Sequence, residues 1–145
     1  AAFEAVCTDL ARQIAADGEG ATRRIDVTVS GARSDAEARI AARTVAGSSL
    51  VKTAVHGADP NWGRIAAAAG RSGATLDPET MRIWIGAVLT YAGAPCDFDA
   101  GAASDALRGP VVSIRLDLAA GDGVGLAWGC DLSAEYVAIN SEYPT

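Results

Sequence analysis

Histidine and methionine each occur once in these 145 residues, cysteine three times, and aromatic residues make up 6%. Each scarcity excludes something. A single histidine, His56, with cysteines at 7, 96 and 130 gives no metal-ligand spacing, so no resident metal is expected. Three scattered cysteines are also a poor disulfide framework; they predict thiols kept reduced, with Cys7 and Cys130 on apolar faces in the core. Basic residues are outnumbered, 12 against 18 acidic, for a net charge of −6. That balance argues against nucleic acid, whose phosphates need a basic face, but suits a small cationic ligand. No apolar run approaches a membrane span and no basic-plus-apolar leader opens the chain. The expectation is a cytoplasmic protein with neither membrane nor nucleic-acid partners.

The length fits one compact piece, residues 1–145. Half the residues are hydrophobic, but many are alanine. Phe3, Trp62, Trp84, Phe98 and Trp128 are therefore expected to supply much of the bulky packing.

Local patterns predict an order of elements. Phe3, Val6, Cys7, Leu10 and Ile14 have helical spacing. Ile25, Val27 and Val29 alternate with polar residues as in a half-buried strand. Ser34 to Glu37 reads as a capping box opening a helix to about Ala46. Leu50 to His56, apolar and β-branched, reads as a buried strand, and Asp59-Pro60 as the cap of a helix through Ile65–Ala69. Met81–Ile85 and Val88–Tyr91 suggest a hairpin, and Ala102–Leu107 a short helix. Val111–Leu118 and Val124–Cys130, joined through Ala120-Gly121-Asp122-Gly123, suggest a second hairpin. Helices alternating with strands early and antiparallel pairs late predict an α/β protein with a mixed sheet layered with helices.

Several constellations admit two readings. Asp17–Arg24 (DGEGATRR) is either a polar loop after a helix or a bend that holds Glu19 out toward an ammonium group. Asp59–Arg64 (DPNWGR) is either an anion cradle or a capped helix start with Trp62 packed inward and Arg64 paired with a carboxylate. His56 lacks a sequence partner for base catalysis and reads as a hydrogen-bonded strand-end residue. The tail carries Tyr136, Val137, Ile139 and Tyr143, enough apolar surface to dock and so to deliver Asn140 and Thr145 to a fixed place.

Three segments, DGEGATRR, Leu50–Gly73 (LVKTAVHGADPNWGRIAAAAGRSG) and Cys130–Thr145 (CDLSAEYVAINSEYPT), together resemble the ornithine acetyltransferases of arginine biosynthesis, also called glutamate N-acetyltransferases. The resemblance spans nearly the whole chain. It implies a fold of the N-terminal-nucleophile (DmpA/ornithine-acetyltransferase-like) type, with this chain as the C-terminal part of the β chain. It also implies a precursor that cuts itself before a threonine. The freed threonine takes acetyl from N2-acetylornithine and passes it to glutamate by a ping-pong route.

Nothing in this chain matches that threonine; Thr8 lies inside the first predicted helix. No catalytic nucleophile is assigned here. What the resemblance implies for this chain is substrate binding, through Glu19, Asn140 and Thr145 in a buried polar site. It further implies no cofactor, with acetyl-CoA left open as a second acetyl donor, and an α chain from the same precursor as partner in an α2β2 heterotetramer or larger assembly. Arg23 stands where the resemblance would place lysine, and His56 where it would place an aromatic or apolar residue. A noncatalytic α/β amino-acid-binding or regulatory domain, and a structural piece of a larger hydrolase, are the competing readings.

Overall fold

The computed structural model describes residues 2–142, and Thr145 and Tyr143 lie outside them. The elements run α1 (Ala2–Ala16), β1 (Arg24–Ala32), α2 (Asp35–Ala46), α3 (Ser49–His56), α4 (Trp62–Gly70), β2 (Arg82–Ile85), β3 (Val88–Ala92), α5 (Ala100–Ala106), β4 (Val111–Asp117), β5 (Gly123–Cys130) and α6 (Ala134–Glu142). The strands form one mixed sheet in the order β3-β2-β4-β1-β5. β1 is parallel to β4 and antiparallel to β5, while β2 is antiparallel to both β3 and β4. The expected α/β layering is thus present.

Period-two alternation decides which sheet face is covered. Ile25, Val27 and Val29 of β1 stand beside Val112, Ile114 and Leu116 of β4, and Ile85 and Ile83 of β2 continue the last two rows. All eight side chains are buried. On β5 the same rows end in Gly125 and Ala127, and there α2 lies against the sheet. A Cβ on Gly125 would sit 2.4 Å from the Ala38 carbonyl carbon and the Arg39 nitrogen. The facing side of α2 is correspondingly small: Ala38, Ala41, Ala42, Val45 and Ala46 are buried. Alanine richness therefore reflects close helix–sheet approach, with dispersion contacts made by many small groups rather than a few large ones.

The core is aliphatic, which corrects the expectation of an aromatic one. The largest fully buried side chains are isoleucine, leucine, methionine and valine, and Phe3 is 82% exposed. Trp62 instead stacks on Tyr91 at 5.0 Å, and Trp84 and Trp128 carry Arg115 and Arg12 over their rings. Cys7 is exposed, because α1 buries none of its residues and its apolar stripe faces outward, and Cys130 at the end of β5 is part-exposed.

Two elements differ from expectation. Ser49–His56 is a helix, with Val51, Ala54 and Val55 buried on one side and Leu50 outside. Burial at i, i+3 and i+4 outweighs the β-branched content of a segment this short. β4 and β5 do not pair, because β1 lies between them. Residues 118–122 carry the chain across that strand, a gap of about 10 Å at usual strand spacing. β4 is the middle strand of the five, and the inward residues of β1, β2 and β4 are buried to the same degree.

Local chemistry sets the helix ends. The Ser34 hydroxyl accepts from the Glu37 N–H, but the Glu37 carboxylate reaches the Thr75 N–H at 3.0 Å instead of closing the capping box. Asn61, not Asp59, caps α4, accepting from the Arg64 N–H, and Asp99 caps α5 two residues earlier than expected.

Candidate functional site

The segment between α1 and β1, the end of α3 and the segment entering α6 meet at one buried carboxylate. Asp131 is 2% exposed. Its Oδ1 accepts from the Thr22 N–H at 2.7 Å and the Arg23 N–H at 2.9 Å. Its Oδ2 accepts from the Thr22 hydroxyl at 2.6 Å and faces His56 Nδ1 at 2.7 Å. Burial pushes the Asp131 carboxyl up, but the hydrogen bonds from Thr22, His56 and the Arg23 N–H outweigh it and hold it below the ordinary carboxylate value. Asp131 is therefore a charged acceptor, and all four lone-pair positions are used.

The same three segments are tied twice more. The Arg23 guanidinium donates to the carbonyls of Val55 and His56 at 2.8 and 2.7 Å, closing the end of α3. The Ser133 hydroxyl donates to the Gly20 carbonyl at 2.6 Å and accepts from the Tyr136 N–H, so it caps α6 and clips it to the bend. Gly20 has φ +63°, and a Cβ there would lie 2.6 Å from the Tyr136 nitrogen. Only glycine fits both the left-handed conformation and the approach of α6.

This scaffold places Glu19 and Asn140 together. Asn140 Nδ2 donates to Glu19 Oε2 at 3.0 Å and to the Tyr136 carbonyl at 2.8 Å. Both residues are exposed on this chain. Of the apolar residues expected to dock the tail, Tyr136 and Val137 are 41% and 60% exposed, Ile139 is half-buried and Tyr143 lies outside the described residues. Thr145, the third expected site residue, lies outside the described residues.

Beside the Glu19–Asn140 pair is a cleft of about 400 Å³, lined by Gly20 and Thr22 from the bend, His56 from α3, and Ser133, Glu135 and Ile139 from the α6 side. His56 is thus a helix-end residue bound to a buried acid, not a strand-end one. The DPNWGR segment makes only structural contacts with the described residues. Asn61 Nδ2 donates to Asp59, and Arg64 donates to the Leu50 carbonyl and the Thr53 hydroxyl rather than to a carboxylate. Asp131 and Thr22 were not singled out from the sequence, although each lies in a segment that carries the family resemblance.

Among the described residues no group of three metal-binding side chains is found, and no helix is long and apolar enough to cross a membrane.

Comparison with known proteins gives one consistent answer. A protein of Deinococcus radiodurans named arginine biosynthesis bifunctional protein ArgJ is 56% identical over 99% of this chain and 37% of its own length. A protein of Methanopyrus kandleri named glutamate N-acetyltransferase is 50% identical over 99% of this chain and 38% of its own. The crystal structure of the arginine biosynthesis bifunctional protein from Bacillus halodurans superposes with a TM-score of 0.95 at 48% identity, covering 98% of this chain and 68% of that one. The chain thus spans little more than a third of the length of these curated relatives. The model of the ArgJ family matches residues 1–145, and the chain belongs to that family.

Proposed function

We propose that this chain is the C-terminal part of the β chain of an acetyltransferase that moves acetyl from N2-acetylornithine to glutamate in arginine biosynthesis. The family match over residues 1–145 carries this reading. The reacting hydroxyl belongs to a threonine outside this chain, freed as an N-terminus by self-cleavage of the precursor. Its oxygen attacks the acetamide carbonyl, the C–N bond breaks, and ornithine leaves with the proton that its nitrogen takes up. The glutamate amine then attacks the acetyl ester, forms the new amide and returns the hydroxyl. No cofactor enters either step, and acetyl-CoA is a second candidate donor.

Glu19, Asn140 and Thr145 are proposed to bind the amino-acid part of the substrate. The Glu19–Asn140 hydrogen bond supports this, since it brings together two residues 121 positions apart. Glu19 offers its carboxylate to an ammonium group, and Asn140 keeps that carboxylate aimed. The upstream α chain covers the pair, in an α2β2 or larger cytoplasmic assembly. Relatives more than twice as long as this chain support such a missing portion.

In the full-length protein, incubation with N2-acetylornithine without glutamate should add one acetyl mass to a chain that begins with threonine. A reaction that proceeds with no such adduct under rapid quench would remove the ping-pong route. Glu19→Gln should raise KM for N2-acetylornithine severalfold; an unchanged KM would take Glu19 out of the site.

A further inference from the structure

His56 stands in a built environment that the proposed reaction leaves without a task. Its side chain is 40% exposed while that of its partner Asp131 is fully buried. A carboxylate only accepts hydrogen bonds, so the 2.7 Å contact requires Nδ1 to carry a hydrogen. In the neutral ring the lone pair then sits on Nε2. Among the described residues nothing hydrogen-bonds Nε2, and the ring lines the cleft under α6.

The remaining polar wall of that cleft is chemically one-sided. The Ser133 hydroxyl hydrogen is spent on the Gly20 carbonyl. The Arg23 guanidinium is turned to the carbonyls at the end of α3. Asp131 has no lone-pair position left. What remains is the Nε2 lone pair and the carboxylate of Glu135, with Glu19 next in sequence to the cleft residue Gly20. With the imidazole in its neutral form, these groups accept hydrogen bonds and carry negative charge or none. A primary ammonium, with three donors and a positive charge, is the complementary group.

We infer that His56, locked by Asp131 with Nε2 as an acceptor, receives an N–H of the side-chain ammonium of a basic amino-acid substrate and so helps select it. The inference rests on the acetyl-transfer reading for the identity of that substrate. It adds to it a second acceptor on a different element from Glu19. Selection by such a pair is strong because a ligand without the ammonium leaves both acceptors unmatched.

The test is calorimetric titration of the full-length protein with L-ornithine, for wild type, His56→Phe, His56→Gln and Glu19→Gln. Phenylalanine suits the exposed, half-open site and keeps the ring volume; a thermal melt checks each fold. His56→Phe should weaken ornithine binding by roughly tenfold. His56→Gln, whose amide oxygen can occupy the place of Nε2, should recover most of the affinity. The 15N resonance of Nε2, assigned by its loss in His56→Gln, should shift on adding ornithine. Unchanged affinity in His56→Phe, or an equal loss in both His56 variants, overturns the assignment to His56. If Glu19→Gln alone weakens binding, the substrate reading stands and the His56 inference falls. A wild-type protein that binds no ornithine overturns both.

Discussion

Asn140 reaches across 3.0 Å to Glu19, 121 positions away along the chain. Glu19 sits on a bend after α1, Asn140 two turns into α6. What fixes their separation is the Asp131 node and the Ser133 clip behind them, not the exposed pair itself. Asn140→Ala should therefore change the stability of the full-length protein by less than about 0.5 kcal/mol. Its KM for N2-acetylornithine should rise about threefold to tenfold. A melt combined with steady-state kinetics separates the two; a large loss of stability would show that the pair holds the fold.

Asp131→Asn attacks the node. It removes a buried charge and leaves donors from Thr22, Arg23 and His56 facing an amide that can accept only with its one oxygen. The cost should be about 2–4 kcal/mol. Hydrogen exchange at the Thr22 and Arg23 amides, both bonded to Oδ1, should speed up before the core amides do.

The same carboxylate predicts an acid dependence. Its folded pKa is depressed, so the unfolded chain takes up the proton at higher pH than the folded one. The stabilisation is fully present above the ordinary carboxylate value of about 3.9 and is lost as the pH falls through the folded value. Urea midpoints of wild type and Asp131→Asn should differ at neutral pH and converge below that range. A gap that persists undiminished into strong acid would contradict the direction of the shift.

Gly20→Ala should cost about 1–3 kcal/mol, because φ +63° and the 2.6 Å approach to the Tyr136 nitrogen penalise any Cβ. α6 should swing from the bend, and ornithine binding should weaken with it. Gly70→Ala is the control: it ends α4 with nothing within 4 Å of a Cβ, so it should be neutral or stabilising by up to about 1 kcal/mol. Melts of the two variants that move together would refute the conformational argument.

Ala119 offers the opposite case. It is exposed, with φ +52°, a left-handed conformation held by its N–H bond to Asp117 Oδ1. Ala119→Gly should relieve that strain and raise stability by about 0.5 kcal/mol, net of the freer unfolded chain. A lower melting temperature would count against it.

Much of this was legible in the residues. The alternation of Ile25, Val27 and Val29, the Ser34 cap and the Val88 strand each rest on a local rule, and each stands where expected. The family segments located Glu19 and Asn140, whose proximity the fold then supplied. Leu50–His56 was misread because a seven-residue, largely apolar run satisfies both periods, and only the surface it packs on chooses between them. Phe3 and Cys7 were placed in a core because helical spacing names a face without saying what, within this chain, lies against it.

The sequence alone determined the α/β class, the family and the two residues of the candidate substrate pair, because those depend on composition, short-range periodicity and segment content. The insertion of β1 between β4 and β5, the aliphatic core and the convergence of Thr22, His56 and Asp131 were decided only in three dimensions. They depend on which surfaces compete best for burial and on donors 75 and 109 residues away along the chain, and no local pattern encodes either.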